Sequence, residues 1–91
     1  MIQSWGNDDA KEVFEGRAPR GVPNTILARA RRLLSQLNAS HQIGDMAVPP
    51  GNNLEKLQGT ETWSVRVNRQ YRVTFTWGPN GPEDVWLGDY H

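Results

Sequence analysis

Apolar and polar residues recur along this chain with two different periods, and the change of period separates helices from strands. Ile26, Ala30, Leu33 and Leu37, joined by Leu27 and Leu34, form an apolar stripe at helical spacing. Pro23 suits the first turn of the helix that carries it. Arg29, Arg31, Arg32 and Gln36 fall largely on the flanks. Upstream, Asn7 or Asp8 offers an N-cap, with Asp9 and Glu12 in the favourable acidic first turns. Gly16 stops this shorter helix at about Glu15. Ile2 to Trp5 reads as a short strand ahead of it, and Gly16 to Gly21 as a basic loop.

Past residue 60 the period becomes two. Thr62-Trp63-Ser64-Val65-Arg66-Val67 and Tyr71-Arg72-Val73-Thr74-Phe75-Thr76-Trp77 flank Asn68-Arg69-Gln70 and predict a hairpin. Burying Trp63, Val65 and Val67 on the same face as Tyr71, Val73, Phe75 and Trp77 fixes the register, because a one-residue slip would flip every side chain. Val67 then faces Tyr71 and Val65 faces Val73. Arg66 and Arg72 become neighbours on the open face, with Cβ atoms about 5 Å apart. Like charges held that way, with nothing acidic interleaved, resemble half of an anion site.

The remaining segments complete the architecture. Asn38 to Asn53 is polar, and Gly44, Pro49, Pro50 and Gly51 break any regular element there. Loops of this length in small domains are often functional. Leu54 to Leu57 predicts a short strand ending at Gly59, Gly78-Pro79-Asn80-Gly81-Pro82 a turn, and Asp84 to Asp89 a last strand carrying Val85 and Leu87. A strand, two helices and then three or four antiparallel strands make an α+β fold with the helices on one sheet face. The other face, carrying Arg66 and Arg72, is left to solvent or ligand. The 91 residues are expected to form one domain, 1–91, with one modest core.

Charge and composition narrow the function. Ten basic and ten acidic residues cancel, which argues against a free-standing, high-affinity nucleic-acid binder but not against a local basic face. Arg17, Arg20, Arg29, Arg31 and Arg32 read as solvated surface arginines. Without cysteine there are no disulfides or thiolate metal sites. His41 and His91 show no paired metal-ligand spacing, so neither metal nor cofactor is expected, and His41 reads as a surface residue. The opening residues lack a signal-peptide pattern, and no run approaches the ~20 apolar residues of a membrane span. A soluble cytoplasmic protein without membrane association is expected.

Asp89-Tyr90-His91 supplies the chemistry. His91 can serve in either proton role near neutral pH. Tyr90 can donate a proton or stack on a base. Asp89 can act as a base or orient the histidine. With Arg66 and Arg72 as a charge clamp, this set fits metal-free cleavage of an RNA phosphodiester, which needs a base, an acid and cations on the non-bridging oxygens. The bland readings are a paired Asp89 at the core edge and a packing Tyr90. Trp63, Trp77 and Trp86 read as core or core rim.

These residues resemble a family over essentially the whole length. The opening Met1-Ile2-x-Ser4-Trp5 is a weak element. Pro49-Pro50-Gly51-Asn52-x-Leu54-Glu55-x-Leu57-x-Gly59, Ser64-Val65-Arg66-Val67-Asn68-x-Gln70-Tyr71-Arg72-Val73-x-Phe75 and Asp89-Tyr90-His91 are more specific. The chain is similar to HigB-type toxins of the RelE superfamily. The resemblance implies a RelE-like antiparallel sheet with two N-terminal helices packed on one face, and a ribosome-dependent mRNA endonuclease. It implies a helix-turn-helix antitoxin of the HigA type as partner, with operator DNA reached only through that antitoxin. Arg66, Arg72, Asp89, Tyr90 and His91 match positions given to cleavage or substrate contact, and Glu55, Lys56 and Asn68 are expected at the substrate. Glu55 stands where some members carry a catalytic histidine, and Gln58 where those members carry a lysine, which leaves fewer acid and base groups.

Two other classes compete with this reading. One is a weakly or non-catalytic protein of the same fold that binds the ribosome or an antitoxin. The other is a small RNA-binding module.

Overall fold

A computed structural model describes residues 1–89 of the chain. Tyr90 and His91 lie outside the described residues. Two helices, α1 (Asp8–Phe14) and α2 (Leu27–Ala39), precede a four-stranded antiparallel sheet in the order β1-β2-β3-β4. The strands are β1 (Glu55–Lys56), β2 (Trp63–Arg66), β3 (Tyr71–Gly78) and β4 (Gly81–Asp89). Both helices pack against the sheet, α1 on β4 and α2 on β3 and β4. This is the α+β arrangement expected from the sequence.

The core is the predicted stripe meeting the predicted strands. Ile26, Ala30, Leu33, Leu34 and Leu37 are buried against Val65, Val73, Phe75, Val85 and Leu87. Each leucine so buried contributes roughly 1.5–3 kcal/mol relative to exposure. The helix begins later than Pro23 suggests: a 3₁₀ turn at Asn24–Ile26 intervenes before Leu27. α1 ends as expected, with Gly16 in the left-handed region at φ 92°.

Three local features depart from simple periodicity. Trp5 forms a single parallel bridge to Val85, and residues 3–6 run along the outer side of β4 without becoming a strand. β4 starts at Gly81, three residues before the expected Asp84. The cause is a bulge: Thr74 faces Trp86 but Thr76 faces Glu83, so Asp84 is an extra residue, held at φ 52°. The bulge lets both Pro82 and Val85 reach the core side, which breaks the alternation.

The polar loop after α2 contains two short 3₁₀ turns, Ile43–Ala47 and Pro50–Asn52, where no regular element was expected. Its centre is Asn52, buried to 1% exposure, whose Nδ2 reaches Met46 O, Val48 O and Gln36 Oε1 at 3.0–3.3 Å. A buried amide without such partners would cost about 1–3 kcal/mol. The His41 and Gln42 backbone N–H groups donate to Asp45, and the His41 bond leads in holding its carboxyl below the usual carboxylate range.

Candidate active-site face of the sheet

The hairpin register brings the two arginines together as the pattern demands. Val65 pairs with Val73 and Arg66 with Arg72, while Val67 N–H donates to Tyr71 O. Extending the rows across the sheet places Glu55, Ser64, Thr74 and Trp86 in one line and Arg66, Arg72 and Gly88 in the next. Strand alternation puts all of them on the face opposite the helices.

An acidic residue from the neighbouring strand lies beside the pair. Glu55 Oε1 is 3.0 Å from Arg72 Nη1, and the same nitrogen donates to Ser64 Oγ at 3.0 Å. Glu55 reaches Arg72 because its strand partner is Ser64. Arg66 is held differently, its Nε donating to the carbonyl of Asn68 at 3.2 Å. Arg72 is therefore charge-compensated, and Arg66 is steered by backbone.

Asn68 sits in the turn. Its Oδ1 accepts the N–H groups of Gln70 and Tyr71 at 2.8 and 2.7 Å, so it shapes the hairpin that presents Arg66. Lys56 faces away from Glu55, being paired with Trp63. It lies 3.6 Å from Glu61 and lines an open depression of about 430 Å³ with residues 57–61. Asp89 pairs with Tyr71 and accepts from Gln70 Nε2 at 2.8 Å. Alternation sets it on the Tyr71 side, whereas Arg66 and Arg72 lie on the other. The face thus unites Glu55, Arg66 and Arg72, and leaves Lys56 and Asp89 to its edges; Tyr90 and His91 lie outside the described residues.

Residues that pattern reading placed elsewhere complete the site. Arg29 is not merely solvated: from α2 its Nε donates to Val67 O at 2.7 Å, and its Nη2 to Arg66 O at 3.0 Å and Gly51 O at 3.3 Å. It fastens the end of β2, and hence Arg66, to the helix. Arg31 likewise binds Val13 O and Arg17 O at 3.0 Å, closing the end of α1. Ser64 was legible as the residue two before Arg66 on the same face. Trp86, read as core or core rim, stands on the arginine face. Among the described residues, no three histidine, cysteine, aspartate or glutamate side chains converge to hold a metal ion, and no helix is long and apolar enough to cross a membrane.

Two helices on one face of a four-stranded antiparallel sheet fit the class of RelE-like toxins. Within that class, the pattern described as the RelE-like toxin of the type II toxin–antitoxin system HigB matches residues 3–91, and the chain belongs to this family. It is 42% identical over 60 residues to Toxin HigB-1 of Vibrio cholerae serotype O1, covering 64% of this chain and 63% of that protein. It is 34% identical over 68 residues to an uncharacterized protein of Haemophilus influenzae, covering 72% and 67% respectively. The match to the Vibrio protein spans just under two-thirds of that protein's length.

Proposed function

We propose that this chain is the toxin of a type II toxin–antitoxin pair and cleaves mRNA on the ribosome without a metal ion. A helix-turn-helix antitoxin is its proposed partner, the cytoplasm its compartment. The observation that carries the reading is the register pair Arg66–Arg72 on the helix-free face. In this mechanism the 2′-oxygen attacks phosphorus and the bond to the 5′-oxygen breaks, leaving a cyclic phosphate. One group takes the 2′-hydroxyl proton and another protonates the departing oxygen. Tyr90 and His91 are the candidates for these roles; Asp89, on the Tyr71 side of the sheet, is a candidate for orienting the histidine, and the arginines stabilise the charge on the non-bridging oxygens.

Cleavage of mRNA on purified translating ribosomes tests this. Arg66→Gln is expected to lower the rate at least tenfold, by the loss of one charge-stabilising donor, with little change in melting. Deleting Tyr90 and His91 should abolish cleavage and growth arrest in a folded protein, since among the described residues the last buried apolar side chain is Leu87. A folded truncation as toxic as the full chain would sink the proton-transfer assignment. A second reading, weak or absent catalysis with binding retained, is favoured by the Glu55–Arg72 ion pair. It predicts ribosome binding by the full chain without cleavage.

A further inference from the structure

Arg66 ends β2 where strand pairing alone does not fix the chain. β1 stops pairing with β2 at Ser64, two residues short of Arg66. On the β3 side, Tyr71 O accepts both the Val67 and the Asn68 N–H, at 3.0 and 3.2 Å, while the Tyr71 N–H turns to the Asn68 side chain at 2.7 Å. The carbonyls of Arg66 and Val67 converge on Arg29 from α2, at 3.0 Å on Nη2 and 2.7 Å on Nε. Two successive peptide groups are thus gripped from both sides, their N–H ends on one strand carbonyl and their C=O ends on one guanidinium. The next carbonyl, Asn68 O, is the acceptor for Arg66 Nε at 3.2 Å. The Arg66 side chain is therefore aimed by a carbonyl whose place depends on the two that Arg29 holds. Arg29 also reaches Gly51 O at 3.3 Å, so the Pro49-Pro50-Gly51-Asn52 motif shares the same anchor. A planar guanidinium fork serves neighbouring acceptors in a rigid geometry, whereas a lysine ammonium keeps the charge without the fork.

We infer that Arg29 is a positioning residue for the phosphate clamp: by fixing the two peptides after Arg66 it holds the Asn68 carbonyl that aims the Arg66 guanidinium. Its effect on rate rests on the RNA-cleaving reading above, while the aim of Arg66 is a property of the free chain. A donor already aimed at the developing charge needs no reorganisation at the moment of reaction. Loss of the aim therefore shows in kcat more than in KM. A simple tie between α2 and β2 would instead alter melting and act whether or not Arg66 is present. That difference makes the two roles separable.

The test compares the full chain with Arg29→Lys, Arg66→Gln and the double variant in mRNA cleavage on programmed ribosomes, below their melting transitions. Arg29→Lys should lower kcat about tenfold with KM within about twofold, since a mis-aimed donor forfeits part of the ~10²–10³ that one such donor supplies. In the Arg66→Gln background the same substitution should cost nothing further, as expected of two residues acting through one contact. Independently of any RNA, the Arg66 Nε–H resonance in heteronuclear NMR spectra of the free chain should be distinct in wild type. In Arg29→Lys it should merge with the resonances of solvated arginines. An unchanged kcat in Arg29→Lys, or an equal loss with and without Arg66, overturns the positioning role while wild-type cleavage keeps the RNA reading standing. An Arg66 resonance unmoved by Arg29→Lys, or loss of the fold in that variant, overturns it as well. Absence of wild-type cleavage, with the resonance moving as expected, overturns the RNA reading and leaves Arg29 as the residue that aims Arg66.

Discussion

At the scale of single residues, one nitrogen of Arg72 serves two acceptors of different character. The Ser64 hydroxyl is neutral and buried, so it orients the guanidinium without discharging it. Glu55 is a carboxylate at 56% side-chain exposure, and an exposed pair of this kind contributes about 0–1 kcal/mol to stability. Its larger consequence is for binding, because an arriving phosphate must share Arg72 with a like-charged neighbour. Glu55→Gln should therefore leave the melting transition nearly unchanged. It should lower KM for programmed ribosomes about fivefold, the equivalent of one unit charge at 4 Å in a water-like dielectric. The effect on kcat should be smaller than that of deleting Tyr90 and His91. A collapsed kcat at unchanged KM would instead make Glu55 a proton-transfer group. Arg72→Gln also removes the ion pair to Glu55, so a small stability loss is expected from it.

At the scale of elements, the joint between α1 and β4 rests on Asn7. Its Oδ1 accepts Ala10 N–H at 3.1 Å as the helix N-cap and also Leu87 N–H at 3.2 Å, while its Nδ2 donates to Leu87 O at 2.8 Å. One amide thus caps a helix and pairs with a strand edge two residues before Asp89. Asn7→Ala should destabilise the fold by about 2 kcal/mol, the upper end for losing a cap, because two strand groups lose their partner as well. Asn7→Ser retains the cap alone and should recover roughly half of that in urea melts; full recovery would show that the Leu87 contacts contribute nothing. The capping half of this joint was legible in the sequence, since Asn before an acidic turn is a local signal. The strand half was not, because it joins positions 80 residues apart. The same division holds elsewhere. The β2–β3 register followed from strict alternation of apolar residues, so the arginine pair was legible. The start of β4 was hidden by a bulge, and the tasks of Arg29 and Arg31 by carbonyl partners in other elements; the side on which Asp89 sits was legible, by alternation from Val85 and Leu87.

At the scale of the whole molecule, charge balance and local geometry give the same expectation for RNA. Ten cationic residues face ten anionic ones, and several cations are already engaged: Arg29 and Arg31 by backbone carbonyls, Arg72 by Glu55. On the proposed function, the Arg66–Arg72 pair is a two-point clamp for an RNA backbone on a chain with no net charge to add to it. Affinity for free single-stranded RNA should consequently be weak and only mildly salt-dependent. With two phosphates neutralised, the slope of log K against log salt should be about −1.4, or roughly a sevenfold loss between 50 and 200 mM. On the proposed function, engagement with programmed ribosomes should be far tighter, with ordered mRNA presented by the ribosome rather than gathered by the protein's own charge. Fluorescence titrations of free RNA over that salt range check this. A slope near −4 would require about six phosphate contacts, more than the arginine pair provides. That outcome would favour a small RNA-binding module over a toxin whose substrate is presented to it by the ribosome.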